Sequence, residues 1–266
     1  MTAPFLKLTQ VSKRFGGVLA LDRIDWDVLP GEVHCLVGEN GCGKSTLIKM
    51  VAGVHAPDPG SVIELAGEVR PELNPALAKA LGVQVIYQDL SLFPNLSVAE
   101  NIAFDLNLKG LAHPVRRARM REVAQAVLGR LGFRLPLAMA VAELSIAERQ
   151  VVAICRGLAG EARLLFMDEP TASLTRAEVK ALLGIVERLQ AEGIAVVFVS
   201  HRLDEVEEIA QRITVFRDGR KVGTYRKGEV DARRIGELMT GLTIDQQVTA
   251  REVSGSAPLL EVRGLT

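Results

Sequence analysis

No charge of either sign prevails in this sequence: 32 Lys and Arg balance 32 Asp and Glu over 266 residues. A global basic field that would draw the chain onto nucleic acid or anionic lipid is therefore excluded, and recognition must come from local sites. Cysteine is scarce. Cys35, Cys42 and Cys155 form neither an even disulfide framework nor a metal-type spacing. Long apolar runs are also missing, since the longest strongly apolar stretch, IAVVFV from Ile194 to Val199, falls far short of the roughly 20 residues a membrane helix needs. The start, MTAPFLKLTQ, lacks the basic residues and long apolar stretch of a secretory signal, so the chain reads as cytosolic. What remains is a chain that is 48% hydrophobic with evenly spaced charge, enough to bury a core in one large domain or one domain with an insertion.

The densest chemical signal follows Pro30-Gly31. A short apolar-rich run, EVHCLV, leads into GENGCGKSTLIKMVAG, in which Gly38, Gly43, Lys44 and Ser45 fit G-x-x-x-x-G-K-[ST]. The run before it suits a buried strand, and Leu47, Ile48, Met50 and Val51 after it can line a helix. Glycines at 38, 41 and 43 let successive backbone N–H groups turn toward one point at a helix N-terminus, an anion cradle spanning Gly38, Glu39, Asn40, Gly41, Cys42, Gly43, Lys44, Ser45 and Thr46. Lys44 supplies a full charge to the outer phosphates of a bound nucleotide. Ser45 offers an oxygen to the Mg2+ those phosphates bring. The alternative is an ordinary glycine turn capping a helix. Cys42 lies inside the loop, so a thiol reagent is expected to compete with ATP there.

RLLFMDEP, Arg163 to Pro170, reads as a buried strand delivering Asp168 and Glu169 at its C-terminal end, the edge where open α/β sheets bind ligands. Asp168 fits metal coordination. Glu169, one residue further out, is the candidate for polarising an attacking water. Acids at a strand end are common, and the pair gains meaning from the phosphate loop.

In chain order the pattern resembles the nucleotide-binding domains of ABC transporters over nearly all of residues 4–240. The resemblance implies an α/β fold: a P-loop NTPase (RecA-like) core with an antiparallel β subdomain and an inserted α-helical subdomain at about residues 89–159. It implies that Phe15 in KRFGG stacks on adenine, that Gln88 in VIYQDLSLF touches Mg2+ and couples to a membrane subunit, that Leu144 and Ser145 open the signature, and that His201 in VFVSHRLDEV contacts the γ-phosphate. Ser145 and Glu148 also form S-x-x-E, a capping box at the start of a helix through VVAICRGLA. Within the helical part, Met120, Val123, Ala124, Val127, Leu128 and Leu131 fall on one helix face. Strands are expected from Phe5, through Ala20 to Val28, and near Val62 and Val83. Asp218-Gly219 between apolar-rich runs signals a hairpin, and a helix from Asp231 to Met239 closes the domain.

Two departures from the family pattern matter. The signature, usually LSGGQ, reads LSIAERQ, so Ile146, Ala147 and Glu148 bring side chains and negative charge where a phosphate would approach, making a poor ATP clamp. TASLT places Thr175 where the D-loop usually ends in Asp. Both are similar to the first half of tandem ATPases that energise bacterial monosaccharide importers of the ribose, xylose and galactoside type. That resemblance implies an enzyme hydrolysing ATP, a second ABC domain in the same full-length chain, integral membrane permease subunits, a periplasmic sugar-binding protein reached indirectly, no nucleic-acid partner, and a cytoplasmic place on the inner face of the plasma membrane. Residues 241–257 read as a linker. PLLEVRGLT, residues 258–266, echoes PFLKLTQVS from Pro4 and is expected to be the first strand of a second, truncated copy. Other readings are a soluble tandem ABC ATPase acting on ribosomes, against which the short linker and LSIAERQ argue, and a nucleotide-binding module with little turnover.

Overall fold

The computed structural model describes residues 3–107 and 116–242. The strand expected at 258–266, and the expected linker beyond Leu242, lie outside the described residues. The strands in chain order are β1 (Leu6–Phe15), β2 (Val18–Val28), β3 (Val33–Val37), β4 (Val62–Leu65), β5 (Glu68–Val69), β6 (Val83–Ile86), β7 (Leu164–Asp168), β8 (Ala195–Val199), β9 (Arg212–Arg217) and β10 (Arg220–Arg226). The helices are α1 (Lys44–Val51), α2 (Pro75–Ala80), α3 (Val98–Ile102), α4 (Phe104–Asn107), α5 (Arg117–Arg130), α6 (Ile146–Ala159), α7 (Arg176–Ala191), α8 (Leu203–Ile209) and α9 (Ala232–Thr240), with a 3-10 turn at Val141–Glu143.

The strands form two sheets. β2-β1-β4-β5 is antiparallel, and β10-β9-β3-β8-β7-β6 is parallel apart from its β10 edge. Every residue of β3 and β8 is buried, as expected of parallel strands covered on both faces. Side chains alternate between two cores. Leu36, Phe166, Val197 and Phe216 face the antiparallel sheet and α1, whereas Cys35, Val37, Met167 and Phe198 face a layer containing α6 and α7. The β9-β10 hairpin turns at Asp218 and Gly219, both with positive φ, the chemistry a two-residue turn demands.

A buried polar network joins the sheets. The Trp26 indole lies within hydrogen-bond reach of His34 Nε2 (3.2 Å) and Thr214 Oγ1 (3.1 Å), and His34 Nδ1 meets Glu32 Oε1 at 2.9 Å. Arg212 bridges Asp27 and Glu32. These bonds tie β2 to β3 and β9 with few polar atoms left unpaired, which sets where the loop after β3 emerges.

The helical part carries the face read from sequence except at Val123, which is half-buried and does not join the core. Ala124, Leu128 and Leu131 are buried, and Met120 and Val127 pack against them. α3 packs on both α5 and α6. Buried Asn101 staples the preceding segment: its side chain accepts from Phe93 N–H and donates to the carbonyls of Phe93, Leu96 and Ser97.

Candidate functional site

The strand β3 runs straight into the glycine loop. Gly43 is the N-cap of α1 with φ 104°, and no side chain caps that helix, so its first-turn N–H groups remain available to an anion. The loop has no room for side chains on its underside. A Cβ on Gly43 would lie 2.6 Å from the Ala20 carbonyl oxygen, and one on Gly38 would lie 2.4 Å from that of Phe216. β2 and β9 therefore press the loop from either side, and only glycine permits that approach.

Lys44 is 5% exposed. Its Nζ donates to the carbonyl oxygens of Gly38 (2.7 Å) and Glu39 (2.9 Å), which holds a full positive charge over the loop. Cys42 lies beneath, also 5% exposed, with Sγ 3.8 Å from Lys44 Nζ. Burial pushes its thiol up, while Lys44 opposes the shift. Cys42 is thus little exposed to a thiol reagent, and reaction there requires the loop to open.

β7 brings in the acids. Ser45 Oγ donates to Asp168 Oδ2 at 3.3 Å, linking the end of β7 to the first turn of α1. Burial pushes the Asp168 carboxyl up, and the Ser45 hydrogen bond resists while the neighbouring Glu169 charge adds to the rise. A cation beside Asp168 would reverse that penalty. Glu169 has φ 48°, a strained position for a residue with a Cβ. Its N–H donates to the Val199 carbonyl (3.0 Å), and its Oε1 lies 3.4 Å from His201 Nδ1.

These groups share one cleft of about 350 Å³, lined by Ala20, Asn40, Gly41, Gly43, Lys44, Ser45, Thr46, Gln88, Asp168 and Glu169. Gln88 enters from just beyond β6. Oxygen-bearing Ser45, Asp168 and Gln88 line it together, and no group of three or more His, Cys, Asp or Glu capable of holding a metal occurs among the described residues. One carboxylate with a hydroxyl and an amide suits a hard cation that arrives on phosphate oxygens, the habit of Mg2+.

Other expected residues lie off the cleft lining. Gly38, Glu39 and Cys42 sit in the loop beneath it, and His201 meets it only through Glu169. Phe15 is 42% exposed at the end of β1 and sets its ring edge-on to His55, centroids 5.2 Å apart, with Lys13 Nζ 5.3 Å from its centre. Leu144 is buried and Ser145 caps α6; neither lines the cleft. Ala20 is a wall residue that the sequence reading missed. A lone alanine carries no chemical signal, and only its contact with Gly43 reveals it.

The capping box at the signature is present in both halves. Ser145 Oγ accepts from Glu148 N–H (3.2 Å), and Glu148 Oε2 accepts from Ser145 N–H (2.8 Å). The N-terminus of α6 thus already holds a carboxylate, where a phosphate would otherwise find free donors. Thr175 does the same for α7 with Glu178, and its bonds hold the Glu178 carboxyl below the usual range. Ser97 with Glu100 at α3 and Thr175 with Glu178 at α7 form further capping boxes, which the sequence reading did not single out. No helix among the described residues is long and apolar enough to cross a membrane.

Known proteins share this fold. An ATP-binding cassette of an ABC transporter in its ADP conformation superposes with a TM-score of 0.76 at 24% identity, covering 90% of this chain and 96% of its own. CbiO1 from Clostridium perfringens, part of the cbiONQ ABC transporter complex, gives 0.75 at 25% identity over 88% and 92%. Ribose import ATP-binding protein RbsA 1 of Rubrobacter xylanophilus is 46% identical over 98% of this chain and 52% of its own length, and RbsA of Burkholderia mallei is 44% identical with the same coverage. The chain therefore spans about half the length of these curated relatives. The ABC transporter family model matches residues 21–172, more than half of the sequence, and the chain belongs to the ABC transporter family.

Proposed function

We propose that this chain is the amino-terminal, ATP-binding and ATP-hydrolysing half of a tandem ATPase that powers import of a monosaccharide. The observation that carries the reading is the convergence of Lys44, Ser45, Gln88, Asp168 and Glu169 on one cleft at the uncapped start of α1. In this reading the backbone N–H groups of the loop and the Lys44 ammonium hold the phosphates, and Phe15 reaches the adenine. Ser45, Gln88 and Asp168 would hold Mg2+, which would neutralise charge on the phosphate oxygens. Glu169 orients the attacking water as an in-line nucleophile, and His201, within 3.4 Å of its carboxylate, steadies it and reaches the γ-phosphate.

The domain occupies residues 1–240, with the helical subdomain at about 89–159 inserted in the α/β core, then a linker at 241–257 and the start of a second ABC domain at 258–266. The half-length match to the ribose import proteins supports that division. Their names, ribose import ATP-binding proteins, favour a monosaccharide as cargo; the reading further takes permease subunits and a periplasmic sugar-binding protein as partners and a place at the cytoplasmic face of the plasma membrane. Because Glu148 occupies the start of α6, the hydrolytic site pairs this cleft with the signature of the second domain.

Glu169→Gln in the full-length protein tests the reading. ATP binding should persist and turnover should fall by about 10²–10⁴-fold, the usual contribution of a positioned base. Hydrolysis at the wild-type rate would remove Glu169 from that role.

A further inference from the structure

Glu169 and His201 sit on two loops that one buried acid ties together. Glu205, in the first turn of α8, is 2% exposed and lies outside the cleft lining. A carboxylate withdrawn from water to that degree needs partners. Its Oε2 accepts from Thr171 Oγ1 at 2.6 Å, the length of a charge-assisted bond, and from Ser200 Oγ at 3.2 Å. Oε1 is ion-paired with Arg202 Nε at 3.0 Å, without the alignment of a hydrogen bond. Thr171 and Ser200 are as buried as Glu205 itself. Thr171 stands two residues after Glu169, across Pro170, whose fixed φ limits the play between them. Ser200 immediately precedes His201, and its Oγ also accepts from Arg202 N–H at 3.0 Å, so the backbone on both sides of His201 is held.

We propose that Glu205 is a positioning residue for ATP hydrolysis: one carboxylate oxygen fixes the loop after β7 against the loop after β8 and thereby sets the approach of Glu169 to His201. Those two side chains lie 3.4 Å apart. His201 is exposed, so packing around its ring does not hold it there, and its order must come from the backbone on either side. The partners of Glu205, namely Thr171, Ser200 and Arg202, lie outside the phosphate loop and the cleft lining. The effect therefore falls on the chemical step rather than on nucleotide affinity. The proposal rests on the reading of Glu169 as the group that orients water.

Steady-state Mg-ATP hydrolysis by the full-length protein carrying Glu205→Ala, Glu205→Gln or Thr171→Val tests this. A misplacement of about 1 Å at a reacting group costs about 10²-fold in rate, so Glu205→Ala should lower kcat by about 10–100-fold while KM stays within about threefold. Thr171→Val keeps the side chain's shape and removes one donor, and should lower kcat by about 3–10-fold. Glu205→Gln keeps an acceptor for both hydroxyls and should recover most of the rate lost in Glu205→Ala. Added to Glu169→Gln, Glu205→Ala should cost less than about threefold more, because the contact it sets is already gone. A kcat within about twofold of wild type in Glu205→Ala, a loss carried by KM, or a full multiplicative loss on the Glu169→Gln background each overturns the role of Glu205. Should Glu205→Ala not fold, Thr171→Val decides, alone and on the Glu169→Gln background. Wild-type turnover in Glu169→Gln is a separate failure, which removes the reading of the cleft and this proposal with it.

Discussion

Replacing Gly43 by alanine should damage the nucleotide loop by an amount its geometry allows to be worked out. At φ 104° a residue with a Cβ sits outside the favoured regions, at a cost of about 1–3 kcal/mol. The new Cβ would also stand 2.6 Å from the Ala20 carbonyl oxygen and 2.7 Å from Leu21 Cδ2. Backbone and a buried side chain cannot both retreat, so the loop must lift from β2. Alanine returns about 0.4–1 kcal/mol by restricting the unfolded chain. The net loss is about 2–3 kcal/mol, readable as a fall in the urea midpoint at unchanged slope. Gly41→Ala is the internal control: it has φ 83° but nothing within 4 Å of its Cβ, so it carries backbone strain without collision and should cost about 1 kcal/mol. ATP titration should then show Gly43→Ala binding far more weakly than Gly41→Ala. Equal stability losses for the two variants, within about 0.5 kcal/mol, would refute the close packing of loop against β2.

Ser145→Ala should destabilise the chain by about 1 kcal/mol, the usual value of an N-cap side chain, because Glu148 N–H loses its acceptor; unchanged stability by urea unfolding would contradict the capping box. A pH dependence is expected from His34. Burial holds its imidazole below the ordinary value of 6.5, despite the Glu32 hydrogen bond that favours the charged form. The unfolded chain therefore takes up the proton first, so stability is level above about pH 6.5 and falls as pH drops toward the lower folded value. Comparing urea midpoints at pH 7.5 and pH 5.5 for the wild type and His34→Gln checks this, and an equal drop in both would remove His34 as the source.

Much of the site was legible because its chemistry is local. The glycine spacing from Gly38 to Gly43, the pair Asp168-Glu169 after four apolar residues, and Ser145-x-x-Glu148 each declare a backbone geometry within a few residues. The same holds for α5 and its C-cap, whose buried Ala124, Leu128 and Leu131 follow from period alone, and for the Asp218-Gly219 turn. What escaped is set by distant partners. β3 lies between β8 and β9, an order that no local pattern encodes. Trp26 meets Thr214 across 188 positions. Ala20 becomes a cleft wall only because β2 touches Gly43, and Cys42 turns inward because Gly38 leaves space beneath the loop. Glu169, at φ 48°, is held by a bond to Val199 on the adjacent strand.

Titrating Mg-ATP against the wild-type chain and against Lys44→Ala tests the central claim most directly, that the glycine loop and one buried ammonium grip a triphosphate. Loss of charge-assisted hydrogen bonds to phosphate, at about 1.5–3 kcal/mol each, should weaken binding about hundredfold or more while the fold remains intact. Affinities within about threefold of each other, with both proteins folded, would contradict it.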